Sequence, residues 1–103
     1  MIRVSFYYDE KNNINGFCIK GHAGYRKSGE DIVCSAVSVL SINTANSIEI
    51  FTDDKFECKE DDGFLDFRLI TVSDSSVLLL KSFKLGIEGI VKDYGKKFIR
   101  IIN

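Results

Sequence analysis

Residues 21–24, Gly-His-Ala-Gly, and residues 31–38, Asp-Ile-Val-Cys-Ser-Ala-Val-Ser, decide how this chain is read, because a strand ends at the first and a helix begins at the second. Upstream, Ile2, Val4, Phe6 and Tyr8 alternate with Arg3, Ser5 and Tyr7, the period-two pattern of a strand. Asp9 to Asn13 is rich in turn formers, and Asn15 to Lys20 resumes the alternation through Phe17 and Ile19, so the two runs predict a hairpin. Downstream, Asp31 is a good N-cap candidate, and Val33, Val37, Leu40, Thr44, Ile48 and Phe51 recur at three- and four-residue steps along a helix ending near Thr52.

The second half repeats the plan. Lys55 to Lys59 and Phe64 to Ile70 alternate around Glu60-Asp61-Asp62-Gly63, where Asp-Gly is a strong reversal signal. Ser73 or Asp74 can cap a helix running through Val77, Leu80, Phe83, Ile87, Ile90, Val91 and Tyr94, with Gly95 as its C-cap, and Phe98 to Ile102 makes a last strand. The predicted class is α+β: a mostly antiparallel sheet from two ββα units plus a final strand, with two helices packed on it. Gly86 and Gly89 inside the second helix mark a close approach, either ordinary packing or a homodimer seam.

Composition narrows the function classes. The 103 residues, without a Pro-, Ser- or Gly-rich linker, predict one domain spanning 1–103. A net charge of −1 gives no electrostatic case for direct nucleic-acid binding. No signal-like apolar core opens the chain, and the longest all-aliphatic run, Val77 to Leu80, is too short to span a bilayer; the expectation is a cytoplasmic protein with no membrane partner. Three cysteines, Cys18, Cys34 and Cys58, cannot all pair within the chain and suit a reducing compartment.

Cys34 and His22, the only histidine, are the candidate nucleophile and base. A thiol attacks as thiolate, and a cysteine in the first helical turn would feel unpaired amides that favour the anion. Cys34 also borders Val33 and Val37, where cysteine can serve as a small buried hydrophobe, and His22 can be a surface residue beside a turn. Asp31 can orient the imidazole or simply cap the helix. Ser38, one turn beyond Cys34, is a supporting candidate. The stretch Ala23 to Glu30, together with Gly21, Gly24 and Gly29, reads as a mobile loop over the site. Phe17 and Tyr25 are candidate substrate contacts, and the acidic run Glu57 to Asp62 reads as a solvated hairpin tip. A zinc site built from Cys18, His22, Cys34 and Cys58 lacks paired-ligand spacing, and Cys58 is expected to point inward with Phe56, so no metal or other cofactor is predicted.

The segments Gly21-His22-Ala23, Gly29-Glu30-Asp31-Ile32-Val33-Cys34 and Ser35-Ala36-Val37-Ser38 resemble the signature of the ribosomal-processing cysteine protease family, Prp. Length and element order are similar over essentially the whole chain. The resemblance implies a cysteine endopeptidase that removes the N-terminal extension of large-subunit ribosomal protein L twenty-seven, a homodimer with Cys34 as nucleophile and His22 as general base and acid. Ser35 in place of the more usual alanine, and Tyr94-Gly95-Lys96 without a proline, are departures that do not touch the dyad. The alternative is a non-catalytic ribosome-assembly module binding a ribosomal protein or RNA, using the basic bias of Lys81, Lys84, Lys92, Lys96, Lys97 and Arg100. A basic face with Cys34 buried away from His22 would favour it; an exposed thiol near the imidazole at a groove would favour proteolysis.

Overall fold

Alternation in the first strand is matched by burial: Ile2, Val4 and Phe6 lie in the core, so β1 (Ile2–Tyr8) presents one apolar face to the helices. The structure, a computed structural model, describes residues 1–22 and 28–103, without the side chains of 28–31. The elements that follow are β2 (Ile14–Lys20), α1 (Ser28–Phe51), β3 (Phe56–Asp61), β4 (Phe64–Leu69), α2 (Asp74–Tyr94) and β5 (Ile99–Ile101). They form one five-stranded sheet in the order β3-β4-β2-β1-β5, antiparallel except for the β1–β5 pair. Two ββα units and a closing strand are therefore present as the hydropathy pattern predicts.

Local chemistry sets the turns and caps. The Asp9 carboxylate accepts the backbone N–H groups of Lys11 and Asn13, both at 2.9 Å, and Asn12 takes a positive φ of 63° to close the β1–β2 turn. Ser73 caps α2, its Oγ accepting the Ser76 N–H at 3.2 Å, and Gly95 ends the helix with φ 90° and its N–H on the Val91 carbonyl. Asp54 joins the end of the first unit to the start of the second helix. Its carboxylate accepts the hydroxyls of Ser73, Ser76 and Thr71 and the Ser73 N–H. Although burial opposes ionisation, these hydrogen bonds hold the Asp54 carboxyl below its ordinary range.

The core lies between the sheet and both helices. Phe83 of α2 packs against Phe17 at 4.2 Å and Phe6 at 6.0 Å between ring centroids, and Phe17 stacks on Phe67. The buried stripe of α1 runs Val33, Val37, Ser41, Thr44, Ile48. It passes through Ser41 rather than Leu40, whose side chain fills the space over Gly86; a Cβ there would stand 2.6 Å from Leu40 Cδ2, so Gly86 serves ordinary helix packing. The expected stripe residue Phe51 is exposed at the helix end.

The stretch Ile32–Phe51 is long and apolar enough to cross a membrane by length and composition, but its inner stripe belongs to the sheet-facing core. Its outer side leaves Ile32, Val39, Ile42 and Ile50 exposed.

Three expectations are corrected. α1 begins at Ser28, so Asp31 lies inside the helix rather than at its N-cap; Asp also suits a first turn, where its charge favours the helix dipole. Gly29 and the 28–30 part of the expected loop belong to the helix for the same reason. Cys58 shares the face of its cross-strand partner Phe67, but it stands on the edge strand β3 and is exposed.

Candidate active site

The β2–β4 ladder brings the end of the first hairpin over the turn of the second. Lys20 pairs with Phe64, and the Gly21 N–H donates to the Gly63 carbonyl at 2.8 Å, extending the ladder by one rung. Gly21 needs its missing side chain here: φ is 92°, and a Cβ would meet the Met1 carbonyl oxygen at 2.4 Å. His22 follows directly, exposed, with its ring against the β3–β4 turn and Nε2 3.6 Å from Asp62 Oδ1.

α1 supplies the facing wall. Cys34 is half-buried and packs on the edge of the apolar core, while Ser38 is exposed one turn further on. A groove of about 720 Å³ is lined by His22, Cys34 and Ser38 together, with Ile2, Ile19, Ile42, Phe64 and Leu65 as apolar surface and Glu60, Asp61 and Asp62 along one rim. The buried Ser41 also lines it, its hydroxyl donating to the Ser38 carbonyl at 3.2 Å. The half-buried Cys34 and the exposed His22 therefore line one groove. Lys84, part of the basic bias, is occupied with the Tyr8 hydroxyl at 2.7 Å.

Position along α1 changes the electrostatics foreseen for Cys34. With the helix starting at Ser28, Cys34 stands well beyond the first turn, whereas the unpaired amides of a helix N-terminus belong to its first four residues. The dipole contribution fades over the same turn. The first-turn amides expected beneath the sulfur are therefore not at Cys34, and the helix start is not the source of oxyanion donors at this residue.

The remaining sequence candidates separate. Phe17 is 0% exposed, stacked beneath α2, and cannot touch a substrate. Cys18 lies on the opposite sheet face beside Tyr7 and Asp66, where burial pushes its thiol pKa up, so it does not join His22 in a ligand set. Among the described residues no group of three His, Cys, Asp or Glu side chains is arranged to hold a metal. Ala23, Gly24 and Tyr25, and the Asp31 side chain, lie outside the described residues. The contribution of the β3–β4 turn is what the sequence does not announce. Its acidic tip is solvated, as expected, yet it also forms one wall of the groove.

Comparisons with known proteins bear on the family and the fold. A sequence model of the family described as cysteine protease Prp matches residues 1–99. The ribosomal processing cysteine proteases Prp of Staphylococcus aureus and Bacillus subtilis are each 24% identical to this chain, the first over 93% of both proteins, the second over 91% of this chain and 90% of the relative. The crystal structure of the S. aureus protease with a covalently linked product peptide superposes with a TM-score of 0.88 at 25% identity, covering 98% of this chain and 97% of that one. SMU.848 from Streptococcus mutans superposes with a TM-score of 0.81 at 30% identity, covering 98% and 91%.

Proposed function

Because the chain belongs to the cysteine protease Prp family, we propose that it is an endopeptidase that removes the N-terminal extension of ribosomal protein L twenty-seven during ribosome assembly, acting as one domain through a Cys34–His22 dyad. The observation that carries this reading is the single groove onto which both side chains open. His22 withdraws the Cys34 proton, and the thiolate attacks a peptide carbonyl laid along the groove. The tetrahedral adduct collapses to a thioester as the imidazolium returns its proton to the leaving amine. Water, deprotonated by the same imidazole, then releases the acid product and restores the thiol. The apolar lining from Ile2, Ile19, Ile42, Phe64 and Leu65 suits an extended peptide with apolar side chains near the scissile bond, and Ser38, which lines the same groove, supports the site by hydrogen-bonding the peptide or the thiol.

The test is incubation of the protein with a peptide spanning the extension junction of the host's own precursor, followed by mass spectrometry. A single cleavage that disappears in C34A and H22A supports the proposal; cleavage that survives in C34A removes the nucleophile.

We also propose that the protein works in the cytoplasm as a homodimer. Supporting the dimer, an apolar groove of about 560 Å³ runs between the helices, lined by Ala36, Val39, Leu40, Gly86 and Ile90, with Val39 70% exposed. Light scattering of V39D against the unmodified protein checks it, a dimer in the latter and a monomer in the variant being the expected outcome.

A further inference from the structure

We propose that the β3–β4 turn is the seat of the His22 ring, with Asp62 as a positioning residue that holds the Nε2–H tautomer so that Nδ1 is the nitrogen that receives the Cys34 proton. This rests on the reading of His22 as the catalytic base. Three observations place the ring. The Gly21 N–H to Gly63 O bond locks the end of β2 onto the turn, so the next residue must lie over it. Gly63 adopts φ +65°, and a Cβ at this position would stand 2.6 Å from His22 Nε2 and 3.1 Å from both flanking ring carbons, so the imidazole rests by its Nε2 edge on bare backbone. Asp62 Oδ1 stands 3.6 Å from the same nitrogen.

That separation is longer than a formed hydrogen bond and within ion-pair range. The carboxylate attracts a proton on Nε2 in the neutral ring, and attracts the whole ring more strongly once the thiol proton arrives and the imidazole becomes a cation. With the Nε2 edge turned to the hairpin, the Nδ1 edge is left for the opposite side. A base oriented by a carboxylate on its other nitrogen is a general arrangement for an imidazole that must take a proton from one side only. Here the side chains are 60% and 94% exposed, so the pair is screened by solvent and its contribution is small compared with a buried carboxylate.

The chain has one histidine, so its ring signals need no assignment. In full-length protein labelled with 15N-histidine, at about pH 9 where an ordinary histidine is neutral, the Nε2–H tautomer is expected to dominate, with ring-proton contacts to the Gly63 α protons. D62A should move the tautomer populations toward equality and weaken those contacts. It should lower kcat on the precursor peptide about two- to fivefold with KM unchanged, as an exposed pair allows; D62E should recover most of the loss. Unchanged ring 15N signals and unchanged kcat in D62A would overturn the proposal. The tautomer is read without substrate, so a failure of the proteolytic reading, seen as persisting cleavage by C34A, is told apart from a failure of the Asp62 pair.

Discussion

The two ββα units share a plan and differ at the junction between sheet and helix. In the second unit, β4 ends at Leu69 and α2 starts at Asp74; this short connection is fixed by Asp54, which gathers Ser73, Ser76 and Thr71, and by the Ser73 cap. In the first, β2 ends at Lys20 and α1 starts at Ser28, and the longer connection opens with Gly21 and His22 at the mouth of a groove. The second junction is held by the Asp54 network, and His22 stands where the β2–β4 ladder ends. The lesson is a division of labour: one junction fixes the start of α2 through Asp54, and the other opens beside the groove that Cys34 and His22 line.

The comparison can be broken by asking whether each junction can be damaged alone. The largest expected effect is on activity. C34A and H22A should each reduce cleavage of the precursor peptide by at least about a thousandfold, while thermal unfolding followed by circular dichroism stays within about 2 °C of the unmodified protein, since Cys34 is only half-buried and His22 is exposed. The converse variant is D54A. It strips charged acceptors from Ser73 and from the fully buried Ser76, so the expected cost is about 2 kcal/mol or more, a fall in Tm on the order of 10 °C for a chain of this size, with kcat per folded molecule unchanged. Loss of kcat in D54A, or of stability in C34A, would show that the two junctions are not independent.

G63A sharpens the comparison, because the second unit's turn serves the first unit's site. A non-glycine residue at φ +65° costs about 1 to 2 kcal/mol, and the new Cβ displaces the imidazole. Both Tm and kcat should fall, by about 5 to 10 °C and by more than in D62A; a variant that loses only stability would detach Gly63 from the site.

Much of this was legible in the sequence because the signals are local. Alternation in β1 as far as Phe6, the Asp62-Gly63 reversal, the Ser73 cap and the Gly95 stop each depend on a few neighbouring residues and stand where the pattern puts them, whereas the register shift after Tyr7 leaves Tyr8 exposed. The start of α1 is ambiguous in the sequence for a physical reason: Asp31 satisfies the chemistry of a cap and of a first turn equally, and the helix begins at Ser28. Phe17 is close to His22 in sequence, yet strand parity turns it under Phe83, away from any ligand. Asp62 faces solvent as its acidic run predicts, but its meeting with His22 depends on the β2–β4 pairing, a contact between distant segments that no local pattern encodes.

The smallest expected effect concerns acid. Two carboxylates with lowered pKa stand in the second unit or its approach. Asp54 is held down, against burial, by its hydroxyl donors. Asp66 is held down, again against burial, by the Tyr7 hydroxyl at 2.5 Å and by Arg68 at 3.0 Å. A carboxylate whose folded pKa lies below its unfolded value adds stability that is fully present above the unfolded value, about 4, and is lost as pH falls through the folded one. Denaturant midpoints should therefore be flat through neutrality and decline below about pH 4, and the decline should be shallower in D54N and D66N, because each variant no longer binds that proton on unfolding. Since neither carboxylate lines the groove, the acid-induced loss should be one of folded protein rather than of kcat per folded molecule. A decline equally steep in both variants would move the acid sensitivity to the groove side and undo the assignment of stability to the second junction.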